Sequence, residues 1–160
     1  MYYPDCETIL SLAQKYSIIP ICREIYADVS TPIMLLRRLA GKSRRCFLLE
    51  SVEGGEKWAR YSFLGVDPIM RVTCRAGNVT VQGEHCKTVN TQAPFDLLRD
   101  LLSSYNAPRI DCMPPFTGGF VGYFAYSMMQ YFEPTLNIKR GDTNDFDLML
   151  FDRVIAYDHL

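Results

Sequence analysis

Histidine is nearly missing from this chain: His85 and His159 are the two in 160 residues. The six cysteines, Cys6, Cys22, Cys46, Cys74, Cys86 and Cys112, lie at wide, uneven spacings with no Cys-x-x-Cys. So little imidazole and such scattered thiols argue against a zinc site, and against a cysteine–histidine catalytic pair. A surplus of positive charge is also missing. Seventeen Lys and Arg against eighteen Asp and Glu leave a net charge of −1, so no nucleic-acid partner is expected. The one dense basic cluster, Arg37–Arg38 with Lys42, Arg44 and Arg45, reads as a solvated helix end. No apolar run is long enough to cross a bilayer, so no membrane partner is expected. The start, Met1-Tyr2-Tyr3-Pro4-Asp5, has neither the basic stretch nor the apolar core of a signal peptide.

Catalytic motifs are equally scarce. The sequence has no Gly-x-Gly-x-x-Gly, no Walker-type phosphate loop, no Gly-x-Ser-x-Gly elbow and no His-Glu-x-x-His. Asp145 and Asp147 read as acids of a solvated polar loop. The expectation is a chain with no catalytic residues, no metal and no cofactor of its own: a ligand-binding or interaction module.

What is present is core-forming material. Hydrophobic residues make up 48% and aromatics 12%, enough for one folded domain of this length. A disulfide framework is then unnecessary, and six reduced thiols in a cytoplasm are expected. Apolar spacing predicts helices over 5–16, with Asp5 as cap, over 31–41, with Thr31 as cap, Pro32 in the first turn and Gly41 as stop, and over 94–105. Strand patterns cover 21–26, 46–50, 61–66, 69–75, 79–81, 118–124 and, as one long final strand, 148–157. Gly77-Asn78 reads as a hairpin turn, and 126–132 as helical. Runs of strands with a few helices predict an α+β fold, a largely antiparallel sheet with helices packed on it. The chain stops directly after an apolar strand, which needs covering, so the 160 residues are expected to be a fragment.

Two segments stand out. In the first, a buried-looking strand ending in Leu49-Glu50-Ser51 runs through Glu53-Gly54-Gly55-Glu56-Lys57-Trp58 and returns as Arg60-Tyr61-Ser62. If the two strands pair, Glu50-Ser51 meets Tyr61-Ser62. An anion, hydroxyls and ring surface gathered there suit a small zwitterion. A hairpin with an ordinary polar tip reads the same way and is the commoner case. In the second, Gly118-Gly119-Phe120-Val121-Gly122-Tyr123-Phe124, the glycines point to close backbone packing rather than a ligand cradle.

Leu48-Leu49-Glu50-Ser51 followed after ten residues by Ser62 resembles the signature of the anthranilate synthase component I family. Arg60-Tyr61-Ser62-Phe63-Leu64-Gly65, the segment Gly118 to Phe124, and Asp158-His159 are similar to it as well. The resemblance covers essentially the whole chain and implies an N-terminal regulatory domain over 1–160, with the catalytic chorismate-binding C-terminal domain absent. It implies an allosteric L-tryptophan site of Leu49, Glu50, Ser51, Tyr61 and Ser62, with Glu50 holding the ammonium, Ser51 close to it, and Tyr61 and Ser62 lining or bracing the pocket. It further implies a lyase that converts chorismate to anthranilate, with Mg2+ in the missing catalytic domain and ammonia from a glutamine amidotransferase component II. One departure is Ser127, where many members carry Asp. The related aminodeoxychorismate synthase component I shares the implied fold, and a stand-alone amino-acid-binding module is a third possibility. The 53–57 loop with Arg60-Tyr61-Ser62 favours the anthranilate family.

Overall fold

The structure, a computed structural model, describes residues 2–41, 43–50, 60–111 and 113–160. It is α+β and every strand pairing in it is antiparallel. The elements in chain order are β1 (Tyr2–Tyr3), α1 (Cys6–Leu12), β2 (Cys22–Arg23), α2 (Pro32–Ala40), β3 (Cys46–Leu49), β4 (Tyr61–Val66), β5 (Met70–Arg75), β6 (Asn78–Gln82), β7 (Cys86–Asn90), α3 (Pro94–Ser103), β8 (Gly119–Phe124), a 3-10 turn (Tyr126–Tyr131), β9 (Phe146–Phe151) and β10 (Val154–Asp158). They build a five-stranded sheet ordered β7-β6-β5-β9-β8, a three-stranded sheet ordered β10-β4-β3, and the small pair β1-β2.

The five-stranded sheet carries the main core. Val72, Cys74, Val79, Phe146 and Leu148 share one face and are closed over by Leu98 of α3 and Met128 of the 3-10 turn. Period-2 apolar spacing put these residues on one side, and burial of that side orders the sheet. The two larger sheets are joined by two chain segments that bend together. β4 leads into β5 and β9 leads into β10, so the pair β5–β9 of one sheet becomes the pair β4–β10 of the other. Asp67, at φ 53°, turns the first segment. The second turns at Asp152-Arg153, both exposed. The expected single strand over 148–157 is therefore two strands in two sheets, because the chain changes sheet at a bend. An aromatic cluster holds the corner. The Phe47 ring lies 4.7 Å from Phe151 and 6.2 Å from Phe116, which lies 5.6 Å from Phe63.

Other elements differ in extent. Asp5 caps α1 by accepting the Thr8 N–H at 2.8 Å, but the helix stops at Leu12 rather than Tyr16. None of its residues is buried, so no packing supports a longer run. The strand expected over 21–26 is reduced to Cys22–Arg23, since Ile21, Ile25 and Tyr26 are exposed. The hairpin turn centres on Ala76-Gly77, one residue earlier than read. Both have positive φ, 50° and 79°, as a type I′ turn requires, and Asn78 is already in β6. Strand β7 was not expected: only Val89 in it is even half-buried, so it has no apolar alternation to read.

The packing reading of the second glycine segment holds. Gly118 has φ 147°, and a Cβ there would stand 2.9 Å from the Phe151 carbonyl oxygen. A Cβ on Gly122 would run into the carbonyl of Asp147 on the neighbouring strand. Gly122→Val is therefore expected to lose about 1–3 kcal/mol by forcing β8 away from β9. Gly141→Ala, with nothing within 4 Å of its added Cβ, should be close to neutral. Urea unfolding of the two variants checks this, and equal midpoints would refute it.

Candidate functional site

Strands β3 and β4 do pair, with Cys46 opposite Val66 and Leu49 opposite Phe63. Carried one residue further, this register sets Glu50 opposite Ser62. Residues directly opposite in an antiparallel pair share a face. Glu50 thus falls on the face of Ser62 and Leu64, whereas Tyr61 falls on the other, with Phe63. Leu49 is 48% exposed and Glu50 is exposed. Ser51, with the whole stretch 51–59, lies outside the described residues. Among the described residues β3 is an edge strand, while β4 is central between β3 and β10.

Ser62 is not open to solvent: it is 2% exposed, and its hydroxyl lies 2.7 Å from Nε2 of His159. That ring in turn lies 4.9 Å from the ring of Tyr157, whose hydroxyl donates to the carbonyl of Ser30 at 3.0 Å. One step away, Arg60 grips Asp158 through two nitrogens, at 2.9 and 2.6 Å. The Arg60 hydrogen bonds hold the Asp158 carboxyl below the usual carboxylate range. The His159 N–H also donates to the Arg60 carbonyl at 2.9 Å. Sequence reading missed this partnership because the residues lie 97 and 98 positions apart.

A second polar cluster corrects an expectation. Asp145 is not in a solvated loop: it is 2% exposed. It accepts from the Ser127 hydroxyl at 2.8 Å, the Tyr131 hydroxyl at 2.9 Å and the Ala76 N–H at 2.8 Å. Burial alone would raise its pKa. The three hydrogen bonds, with Arg140 nearby, outweigh that and hold it below the ordinary value. Burial, then the bond to Asp145, pushes the Tyr131 phenol up. Asp147, by contrast with Asp145, is in strand β9, bonded to Arg71 at 2.8 Å, and that bond lowers its pKa. Asp145 and Tyr131 brace the Ala76-Gly77 hairpin, the Ala76 N–H donating to the carboxylate and the Gly77 N–H to the Tyr131 hydroxyl at 2.7 Å. Arg44 and Arg45, read as part of a solvated helix end, are exposed and line an open cleft of about 330 Å³ with Arg71 and Tyr123. Among the described residues no group of three or more His, Cys, Asp or Glu could hold a metal ion, and no helix is long and apolar enough to cross a membrane.

Comparison with known proteins adds what geometry does not carry. No family model matches the chain. Anthranilate synthase component 1 of Acetivibrio thermocellus is 36% identical over 163 residues, covering 100% of this chain and 33% of that protein. The component 1 of Acinetobacter calcoaceticus is 39% identical over 155 residues, 91% of this chain and 31% of the other. Along nearly its whole length the chain is similar to anthranilate synthase component 1 proteins. It spans about a third of the length of these relatives. The crystal structure of anthranilate synthase component I from Streptococcus pneumoniae TIGR4 shares the fold, with a TM-score of 0.52 and 24% identity over 86% of this chain and 29% of that one.

Proposed function

We propose that this chain is the N-terminal regulatory portion of an anthranilate synthase component I, binding L-tryptophan beside Glu50 as feedback inhibitor of the conversion of chorismate to anthranilate. Supporting the reading is one juxtaposition: in a chain similar to this family along its length, β3, which runs into Glu50, pairs with β4 in a register that, carried one residue on, sets Glu50 opposite Ser62. The exposed carboxylate suits the ammonium of an amino acid, which can form a charge-assisted hydrogen bond to it. In this reading Ser51 stands close to the ligand, Ser62 braces β4 on the face of Glu50, and Leu49 and Tyr61, on the opposite face, brace the two strands. The chemistry belongs to a chorismate-binding domain beyond these residues, where Mg2+ acts and where a glutamine amidotransferase component II delivers ammonia. The location that fits is the cytoplasm.

Glu50→Gln removes the charge and keeps the shape. In the full-length protein it should raise the tryptophan concentration for half-inhibition by about tenfold, the loss of one charge-assisted contact of about 1.5 kcal/mol. Anthranilate fluorescence in the presence of chorismate, magnesium and an ammonium salt follows the inhibition. An unchanged inhibition curve would remove Glu50 from the site.

A further inference from the structure

We infer that His159 is a positioning residue for the proposed amino-acid site, acting through Ser62; the inference rests on the tryptophan reading above. Ser62 shares a sheet face with Glu50, yet its side chain is buried and its hydroxyl is held by Nε2 of His159 at 2.7 Å. A serine hydroxyl has one donor and two acceptor positions. Once His159 occupies one of them, the direction of the rest is fixed. The ring cannot drift from this pose cheaply. Tyr157 lies against it and is itself tied to Ser30 of the segment before α2. The backbone on either side of the pair is locked as well, by the Arg60–Asp158 ion pair and by the His159 N–H on the Arg60 carbonyl.

The arrangement fixes β4 at the end where it stands opposite Glu50. Among the described residues β3 has a single neighbour, β4, so the position of Glu50 relative to the rest of the fold depends on β4 being held. β10 does the holding, and His159 follows it directly. A ligand that needs Glu50 and the start of β4 at a set separation therefore depends on the His159 side chain without touching it.

The test is tryptophan binding by calorimetry on the full-length protein, with thermal midpoints measured alongside. His159→Ala and Ser62→Ala should each weaken binding by about three- to tenfold, the span expected for one neutral hydrogen bond. The double variant should be no worse than either single one, because both remove the same contact. His159→Gln, which can return an amide to the place of Nε2, should recover to within about twofold of wild type. A purely structural histidine would lower the midpoint and leave the affinity alone. Unchanged affinity in His159→Ala, multiplying losses in the double variant, or a Gln variant no better than Ala would each overturn the inference. If Glu50→Gln weakens binding while His159→Ala does not, the tryptophan site stands and only His159 is wrong. If the wild type does not bind tryptophan, the site and this inference fall together.

Discussion

Replacing Asp145 by Ala should destabilise the fold by about 3–5 kcal/mol, the range for removing one partner of a buried charged network. The carboxylate is 2% exposed and accepts from Ser127, Tyr131 and the Ala76 N–H. Taking it away leaves three donors without that acceptor. It also releases a turn in which Ala76, a residue with a Cβ, is held at φ 50°, a conformation that costs energy. In a chain of this length the loss corresponds to a drop in melting temperature of roughly 6–20 °C. Asp147→Ala, whose partner Arg71 is partly exposed, should cost about 1 kcal/mol or less. The pH dependence follows from the lowered Asp145 pKa. The unfolded chain takes up the proton first, so the contribution is complete above the ordinary value of 3.8 and is lost as pH falls through the lower folded value. Wild type should therefore lose more stability between pH 7 and pH 3 than Asp145→Ala does. Equal urea midpoints for wild type and variant at pH 7 would refute the role given to Asp145.

That carboxylate also shows where sequence reading stops. Asp142-Thr143-Asn144-Asp145 has the composition of a solvated turn, and composition carries no information about what lies across from it. The acceptor role of Asp145 depends on Tyr131, on Ser127 and on a hairpin some seventy residues earlier. Ser127, which stands where the resemblance leads one to expect Asp, is one of its donors. Helix starts were legible because their signals are local: Asp5 and Thr31 accept the N–H of residues three further on, Thr8 and Met34. The core of the main sheet was legible because alternation alone puts Met70, Val72 and Cys74 on one side. The break at Asp152-Arg153 was not, since an apolar strand that changes sheet looks continuous along the chain. For the candidate site, the pairing of β3 with β4 could be anticipated from two apolar runs around a Gly-rich loop. The closure of Ser62 by His159 could not, because only the topology brings β10 beside β4.

The isolated 160-residue chain should bind tryptophan about thirty- to a hundredfold more weakly than the full-length protein. Feedback inhibition couples two sites, so the ligand must prefer one arrangement of regulatory and catalytic parts over another. In the proposed reading the ligand senses that arrangement directly, so part of its pocket comes from the rest of the protein. The geometry here agrees with a half-site. Leu49 is 48% exposed and Glu50 is exposed, on an edge strand whose outer side has no partner among the described residues. A tryptophan side chain buries roughly 150–250 Å² when enclosed, worth about 4–6 kcal/mol at about 25 cal/mol per Å². Leaving half of it in water gives up roughly 2–3 kcal/mol, about two powers of ten in affinity. Calorimetry on the short chain against the full-length protein measures the difference, with cooperative urea unfolding of the short chain as the control for its folding. Equal affinities in a folded short chain would show that the pocket is complete within these residues, and the coupling would then have to act through a change inside this domain rather than across its boundary.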